Sequence, residues 1–217
     1  MKGRIIAVLF SAMLVFAFAS ACFAADQDFN RYGVRIRGLY VMPNDHFDGA
    51  VQGILNNLGA GKAVIDDSVA PELDLEYFFT KHISAELVLA LVKNDIAIQG
   101  GHSVVGSTWL LPPSLLVKYH ILPDNCTVDP YVGFGMNVVM PFDEHLTAGP
   151  INSVKIDTSV GWAAQIGADF PITKKCYFNL DVKYYNTETQ MRFNGNSTKY
   201  NLDINPVIVG TGFGVRF

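Results

Sequence analysis

The side chains able to do chemistry are few and scattered. His46, His82, His102, His120 and His145 make up the histidines, and no two of them stand at metal-ligand spacing on one strand, so no metal site is expected. His102-Ser103 sets a base beside a nucleophile, but adjacency in sequence is not catalytic geometry and no acid is placed to orient the histidine. Gly100-Gly101 and Gly133-Phe134-Gly135 lack the strand-to-helix setting of a phosphate loop. No catalytic residue, cofactor or enzyme activity is therefore expected. The charged side chains are the informative group. Arg35, Arg37, Asp74, Glu76, Glu86, Lys118, Asp169, Asp181 and Lys183 interrupt apolar runs at alternate positions. Opposite charges gathered on one side of such runs can pair with each other, and a lone buried charge is costly, so most of these groups must be paired if that side is enclosed.

The chain that carries them has 217 residues, half of them hydrophobic and only 17% charged, with a formal net charge of −4. That composition excludes a disordered chain and a basic nucleic-acid binder. Lys2 and Arg4 precede an apolar run from Ile5 to Phe18, and Cys22-Phe23-Ala24 offers a cleavage site. The run is shorter than the ~20 residues needed for a bilayer-spanning helix, and it reads as a secretory signal peptide over residues 1–24. Residues 25–217 then form one exported domain. Ala19-Ser20-Ala21 before Cys22 loosely resembles a lipoprotein site, without the usual leucine. In an exported chain Cys126 and Cys176, both in short turns, are candidates for a disulfide.

Beyond the leader, apolar residues alternate. Leu73, Leu75, Tyr77 and Phe79 interleave with Glu72, Asp74 and Glu76; Val207, Val209, Thr211, Phe213, Val215 and Phe217 interleave with Ile208, Gly210, Gly212, Gly214 and Arg216. A strand sends neighbouring side chains to opposite faces, so each such run has one apolar face. Eight strands are predicted, near residues 31–41, 70–80, 82–92, 111–120, 129–140, 156–170, 176–187 and 201–217. Their connections alternate between long and short, the pattern of an all-β, eight-stranded antiparallel transmembrane barrel of up-and-down topology in the bacterial outer membrane. In lipid, closure is what removes unpaired strand edges. Tyr32, Tyr40, Tyr77, Phe79, Tyr119, Trp162, Phe170, Tyr177 and Tyr184 are predicted for the interfacial aromatic girdles. A soluble barrel with its apolar face inward shares the same alternation. The terminal Phe217 resembles the assembly signal of outer-membrane barrels and favours the membrane form. In the first long connection, Val51 to Leu58 is apolar enough for a short helix.

A barrel of eight strands is narrow enough for side chains to nearly fill it. Its inner face is expected to carry the charges named above as a floor toward the short turns. Above them Leu39, Val88, Ala90, Leu116, Val139, Ile204 and Ile208 are expected to line an apolar chamber. Such a chamber would admit a hydrophobic solute and refuse ions; alternatively these residues simply fill a closed structural barrel. Pro112, Pro113 and Pro206 cannot donate ladder hydrogen bonds, so they weaken strand pairing where a lateral opening could form, or mark strand starts and bulges.

Leu111-Pro112-Pro113-Ser114-Leu115 and Pro130-Tyr131-Val132-Gly133-Phe134-Gly135-Met136-Asn137 resemble signature segments of the OmpW family of outer-membrane proteins. Gly161, Gln165, Gly167, Asp169 and Phe170 fit a third, Asn179 to Tyr184 a fourth, and Gly212 to Phe217 the family C-terminus. The resemblance implies a monomeric barrel with a channel for small hydrophobic molecules, related to AlkL-type alkane importers, whose solute leaves sideways through the wall into outer-membrane lipid. Two residues depart from it or flank the departure: Lys183 stands where the family tends to place a large aromatic residue, and Val88 faces it. A structural or surface-recognition barrel with a blocked lumen and partner-binding loops is the alternative.

Overall fold

The computed structural model describes residues 30–47, 63–65, 67–98, 101–125, 127–146, 154–193 and 200–217. The expected leader and the helix expected at Val51 to Leu58 lie outside these residues. Every regular element described is a strand: β1 (Tyr32–Met42), β2 (Asp45–Phe47), β3 (Ala63–Ile65), β4 (Ser68–Phe78), β5 (Ile83–Ala90), β6 (Val92–Ile98), β7 (Gly101–Leu111), β8 (Ser114–His120), β9 (Asp129–Leu146), β10 (Val154–Ile156), β11 (Ser159–Pro171), β12 (Cys176–Phe193), β13 (Tyr200–Ile204) and β14 (Val207–Arg216).

Eight of them close on themselves. The antiparallel ladders run β1 to β4, β4 to β5, β5 to β8, β8 to β9, β9 to β11, β11 to β12, β12 to β14 and β14 back to β1. The seam is sealed by a reciprocal pair of backbone bonds, Tyr32 N–H to Phe217 O at 3.0 Å and Phe217 N–H to Tyr32 O at 2.8 Å. The remaining short strands extend the wall at the long-connection end. β6 and β7 pair with each other and β7 with β9, while β10 and β13 pair with β12. Much of what the sequence predicts as loop, residues 93–110, 141–155 and 188–200, therefore begins as strand. The physical reason is that a ladder bond satisfies backbone groups with or without a buried face behind it.

The polarity of the wall is inverted relative to a water-soluble protein. Leu115, Val117, Phe134, Ile166 and Phe213 point outward and are more than half exposed, while Arg35, Asp74, Glu86, Lys118, Asp181 and Lys183 point inward and are inaccessible. An outer face of this kind is stable only against hydrocarbon, which excludes the soluble alternative. Tyr32, Tyr40, Phe79, Tyr119, Trp162 and Phe170 lie on it. Tyr177 does not: it shares the inward phase of Asn179 and Asp181 and is buried, its ring lying over Gly214. Its place directly after a turn hides the phase of its strand from the sequence pattern.

Candidate functional site

The inner face is built in two storeys. The lower one lies toward the short turns and is a continuous column of charge. Uppermost, Lys183 Nζ lies 2.8 Å from Glu72 Oε1 and 3.1 Å from Asp181 Oδ2. Below it Arg37 reaches Glu72 at 2.6 Å and Asp74 at 2.7 Å, donates to Asn179 Oδ1 at 3.0 Å and pairs with Asp181. Arg35 stands at the centre, paired with Glu86 and within 3.6 Å of Asp74, Glu76 and Asp169. Lys118 Nζ sits 3.0 Å from Glu76 and 3.8 Å from the centre of the Tyr131 ring. At the bottom, Arg216 bonds Asp169 at 2.6 Å and approaches Asp129 at 3.4 Å, with its guanidinium over the Phe78 and Tyr177 rings.

Register explains this convergence. Arg35 and Arg37 on β1 lie opposite Asp74 and Glu72 on β4, and opposite Gly214 and Gly212 on β14. A side chain at Gly212 would place its Cβ 2.0 Å from the Ile36 carbonyl and 2.9 Å from Arg37 Cγ. Both arginines therefore use space that β14 leaves vacant. The glycines do not widen a passage; they are filled by the plug.

The structure thus brings together all nine expected floor residues, and Glu72, Asp129, Gln165 and Arg216 join them. Gln165 donates to Glu86 at 2.7 Å. Asn179, which alternates in step with Asp181 and Lys183 in the sequence, joins the floor too, as do His120 and Tyr131, which that pattern did not single out. His120 Nδ1 lies 2.8 Å from Asp129 and Nε2 3.2 Å from Glu76, and Asn179 donates to Asp169 at 2.7 Å and to the Tyr131 hydroxyl at 2.9 Å. Alternation from Lys118 was the available signal for His120. His120, Asp129 and Asp169 offer ligand atoms within 4.8 Å of one another. The Arg216 guanidinium already bridges the two carboxylates there, which disfavours a second positive charge at the same place.

The upper storey is two-sided. Leu39, Val88, Ala90, Leu116 and Ile208 pack in one cluster with Val41, Ala70, Val92, Ala163 and Tyr185. Val139 is half-buried, and the Ile204 side chain lies outside the described residues. β8, β9, β11 and β12 add neutral polar side chains, Ser114, Asn137, Ser159 and Thr187, beside the apolar Leu116, Val139, Ala163 and Tyr185 of the same strands. Chamber residues Val88 and Leu116 are 0% exposed.

Among the described residues the wall beside the chamber lacks ladder pairs between β11 and β12, whose ladder begins only at Trp162 opposite Asn186 and leaves Ser159, Val160 and Gly161 paired to β9 alone, and again between β5 and β8. The β5–β8 ladder stops at Val88 opposite Ser114, and the β6–β7 ladder starts at Val92 opposite Leu110. The register is in step across the break, yet Leu89, Ala90 and Leu91 make no ladder pairs with Leu111, Pro112 and Pro113. Pro206 differs. There Tyr185 N–H donates to the Pro206 carbonyl at 3.1 Å, and Asn205 Oδ1 accepts from Thr187 N–H at 3.1 Å and Asn186 Nδ2 at 3.2 Å. The wall is stitched at Pro206; at Pro112-Pro113 it is bonded toward β9, where Val138 N–H donates to the Pro113 carbonyl at 3.0 Å, and unpaired toward β5. Of the expected disulfide, Cys176 is disulfide-bonded, and Cys126 lies outside the described residues. His102 and Ser103 lie on β7, with their side chains also outside them.

A closed eight-stranded barrel with a lipid-facing apolar belt and a charged interior defines an outer-membrane β-barrel protein. The OmpW family model matches residues 31–217, and the chain belongs to that family. It is 34% identical over 190 residues to an outer-membrane protein of Sinorhizobium fredii, y4mB, covering 85% of this chain and 79% of that one. It is 31% identical over 188 residues to outer membrane protein W of Vibrio cholerae, covering 82% and 84%. In fold it is similar to the crystal structure of the outer membrane protein OprG from Pseudomonas aeruginosa, with a TM-score of 0.71 at 24% identity over 87% of this chain and 96% of that one. The outer membrane protein AlkL in lipid bilayers gives a TM-score of 0.60 at 20% identity over 89% and 93%.

Proposed function

We propose that this protein is a passive conduit carrying small hydrophobic molecules across the outer membrane. Solute enters from the long-connection side, is stopped by the ionic floor and leaves through the wall between β5 and β8 at Pro112-Pro113. One observation carries the reading: the three missing ladder pairs lie beside the chamber and above a floor that seals the straight path. Weak hydrogen bonding makes that stretch less costly to part than fully laddered wall. Passage also requires chamber side chains to move, foremost Tyr185, whose hydroxyl lies 3.4 Å from Ser114 Oγ beside the double proline. The resemblance to alkane importers points the same way. The test uses vesicles with lipopolysaccharide in the outer leaflet, which slows apolar solutes. Protein is expected to speed entry of an apolar probe with little ionic conductance; entry no faster than in empty vesicles would sink the reading.

The burial of Leu39, Val88 and Leu116 also favours a second reading, a blocked barrel that presents its long connections to a partner. That reading expects no solute entry, and expects shortening the segment between Pro43 and Val69 to abolish cell-surface adhesion with permeability unchanged. A partner-free monomer in outer-membrane lipid is the state in which the conduit operates. Cys126 is proposed as the disulfide partner of Cys176.

A further inference from the structure

The two-sidedness of the upper chamber specifies more than hydrophobicity. One arc, on β14, β1, β4 and β5, offers Ile208, Leu39, Ala70 and Val88. The facing arc, on β8, β9, β11 and β12, adds to the apolar Leu116, Ala163 and Tyr185 the polar groups of Ser114, Asn137, Ser159 and Thr187, each at least nine-tenths buried. A chamber for alkanes alone would have no use for these polar groups, because buried polar groups without partners are destabilising.

Two of those groups do lack partners. Asn137 spends its amide on Thr187 Oγ1 at 3.0 Å, across the strand between them, and its Oδ1 has no hydrogen-bond partner among the described residues. Ser159 Oγ has none either. Asn137 Oδ1 can only accept, and a serine hydroxyl can accept or donate. The position opposite Asn137 on β11 is Gly161, where a Cβ would stand 2.7 Å from Asn137 Oδ1; the glycine leaves that oxygen uncovered. Asn137 also pairs with Ser114, the residue that follows the double proline, and the adjacent Val138 N–H donates to the Pro113 carbonyl at 3.0 Å. The unmet Asn137 acceptor thus borders the break between β5 and β8.

We infer that the chamber takes uncharged amphiphiles: small molecules with an apolar body and a hydroxyl donor, of the alcohol or phenol class. The body lies on the aliphatic arc, and the solute hydroxyl donates to Asn137 Oδ1 and accepts from the Ser159 hydroxyl. Ionised solutes are refused because neither arc offers a countercharge and a buried lone charge is costly. The floor below adds none, since its seven carboxylates, Glu72, Asp74, Glu76, Glu86, Asp129, Asp169 and Asp181, are paired with its own cations Arg35, Arg37, Lys118, Lys183 and Arg216.

This inference rests on the conduit reading, and one experiment separates the two. Protein-dependent entry of cyclohexanol and of cyclohexane is measured in the same lipopolysaccharide-containing vesicles. The wild-type chain is expected to favour cyclohexanol, and the double variant Asn137→Ala, Ser159→Ala to lower the cyclohexanol-to-cyclohexane flux ratio about fivefold, the worth of one buried hydrogen bond. Should the double variant fail to fold, Ser159→Ala alone is read in its place, because the hydroxyl it removes makes no bond among the described residues. A ratio near one in the wild type, or a ratio unchanged by substitution while both solutes enter, overturns the inference and leaves the conduit standing. No protein-dependent entry of either solute removes the conduit, and the inference with it.

Discussion

Arg35 is the side chain on which the floor turns, since four carboxylates from β4, β5 and β11 converge on it. Arg35→Met removes their shared partner and leaves them buried together, which costs about 3–5 kcal/mol when one member of a buried pair is lost. The expected outcome is a lower temperature for the barrel's gel-mobility shift, together with raised ionic conductance in planar bilayers as water enters to solvate the orphaned acids. Lys81, by contrast, meets Asp124 at 2.6 Å with both side chains largely exposed, and Lys81→Ala should change stability by less than about 1 kcal/mol on the same gel. Most of the floor was legible because charge at every second position of an apolar strand has only one sensible side to occupy. His120 and Asn179 share that phase, and alternation from Lys118 and Asp181 reaches both, although neither carries the full charge that marks the other floor residues. The open acceptor on Asn137 depends on Gly161, two strands' pairing away in sequence, and no single-strand pattern exposes it.

Close approach between strands limits what the wall tolerates. Gly38 has nothing within 4 Å of an added Cβ, while at Gly212 that atom would collide with the Ile36 carbonyl. Gly38→Ala should therefore assemble normally and Gly212→Ala should not, as read from the fraction of heat-modifiable protein in the membrane. The double proline is a second lesson at this scale. Replacing Pro112 by alanine restores one N–H donor to the break, worth about 1 kcal/mol once bonded, whereas an N–H at position 113 would face β9, from which Val138 N–H already donates to the Pro113 carbonyl. Solute flux is expected to fall about fivefold or more for that bond, and unchanged flux would place the exit elsewhere. The prolines were visible in the sequence, but their different effects were not. Pro206 is stitched by the side chain of Asn205, a local hydrogen bond that composition and alternation do not report. Strand ends were also underestimated, because above the membrane the strands lose the one-sided burial that generates a period of two.

For the whole molecule, the inverted polarity was settled by the structure, because alternation is symmetric and assigns faces only once inside and outside are known. The same symmetry hid the division of the chamber into aliphatic and part-polar arcs, which arises from strands far apart in the chain facing each other across the lumen. The proposed Cys126–Cys176 bond would tie the turn after β8 to the start of β12. Cys176→Ser, or reduction, is then expected to cost about 2–4 kcal/mol of stability, measurable as an earlier gel shift on heating; an identical shift with and without reductant would count against the bond. The seam between Tyr32 and Phe217 imposes a constraint in time. The first wall strand finds its second neighbour only among the last residues of the sequence, so no earlier portion of the chain can seal itself against lipid. The cell must keep the whole chain unfolded in transit and deliver it before a barrier-forming product exists, and loop closure over that span makes assembly slow compared with local hairpins. The wall is therefore committed in one late step, and a chain truncated before β14 would remain a substrate for proteolysis rather than become a smaller pore.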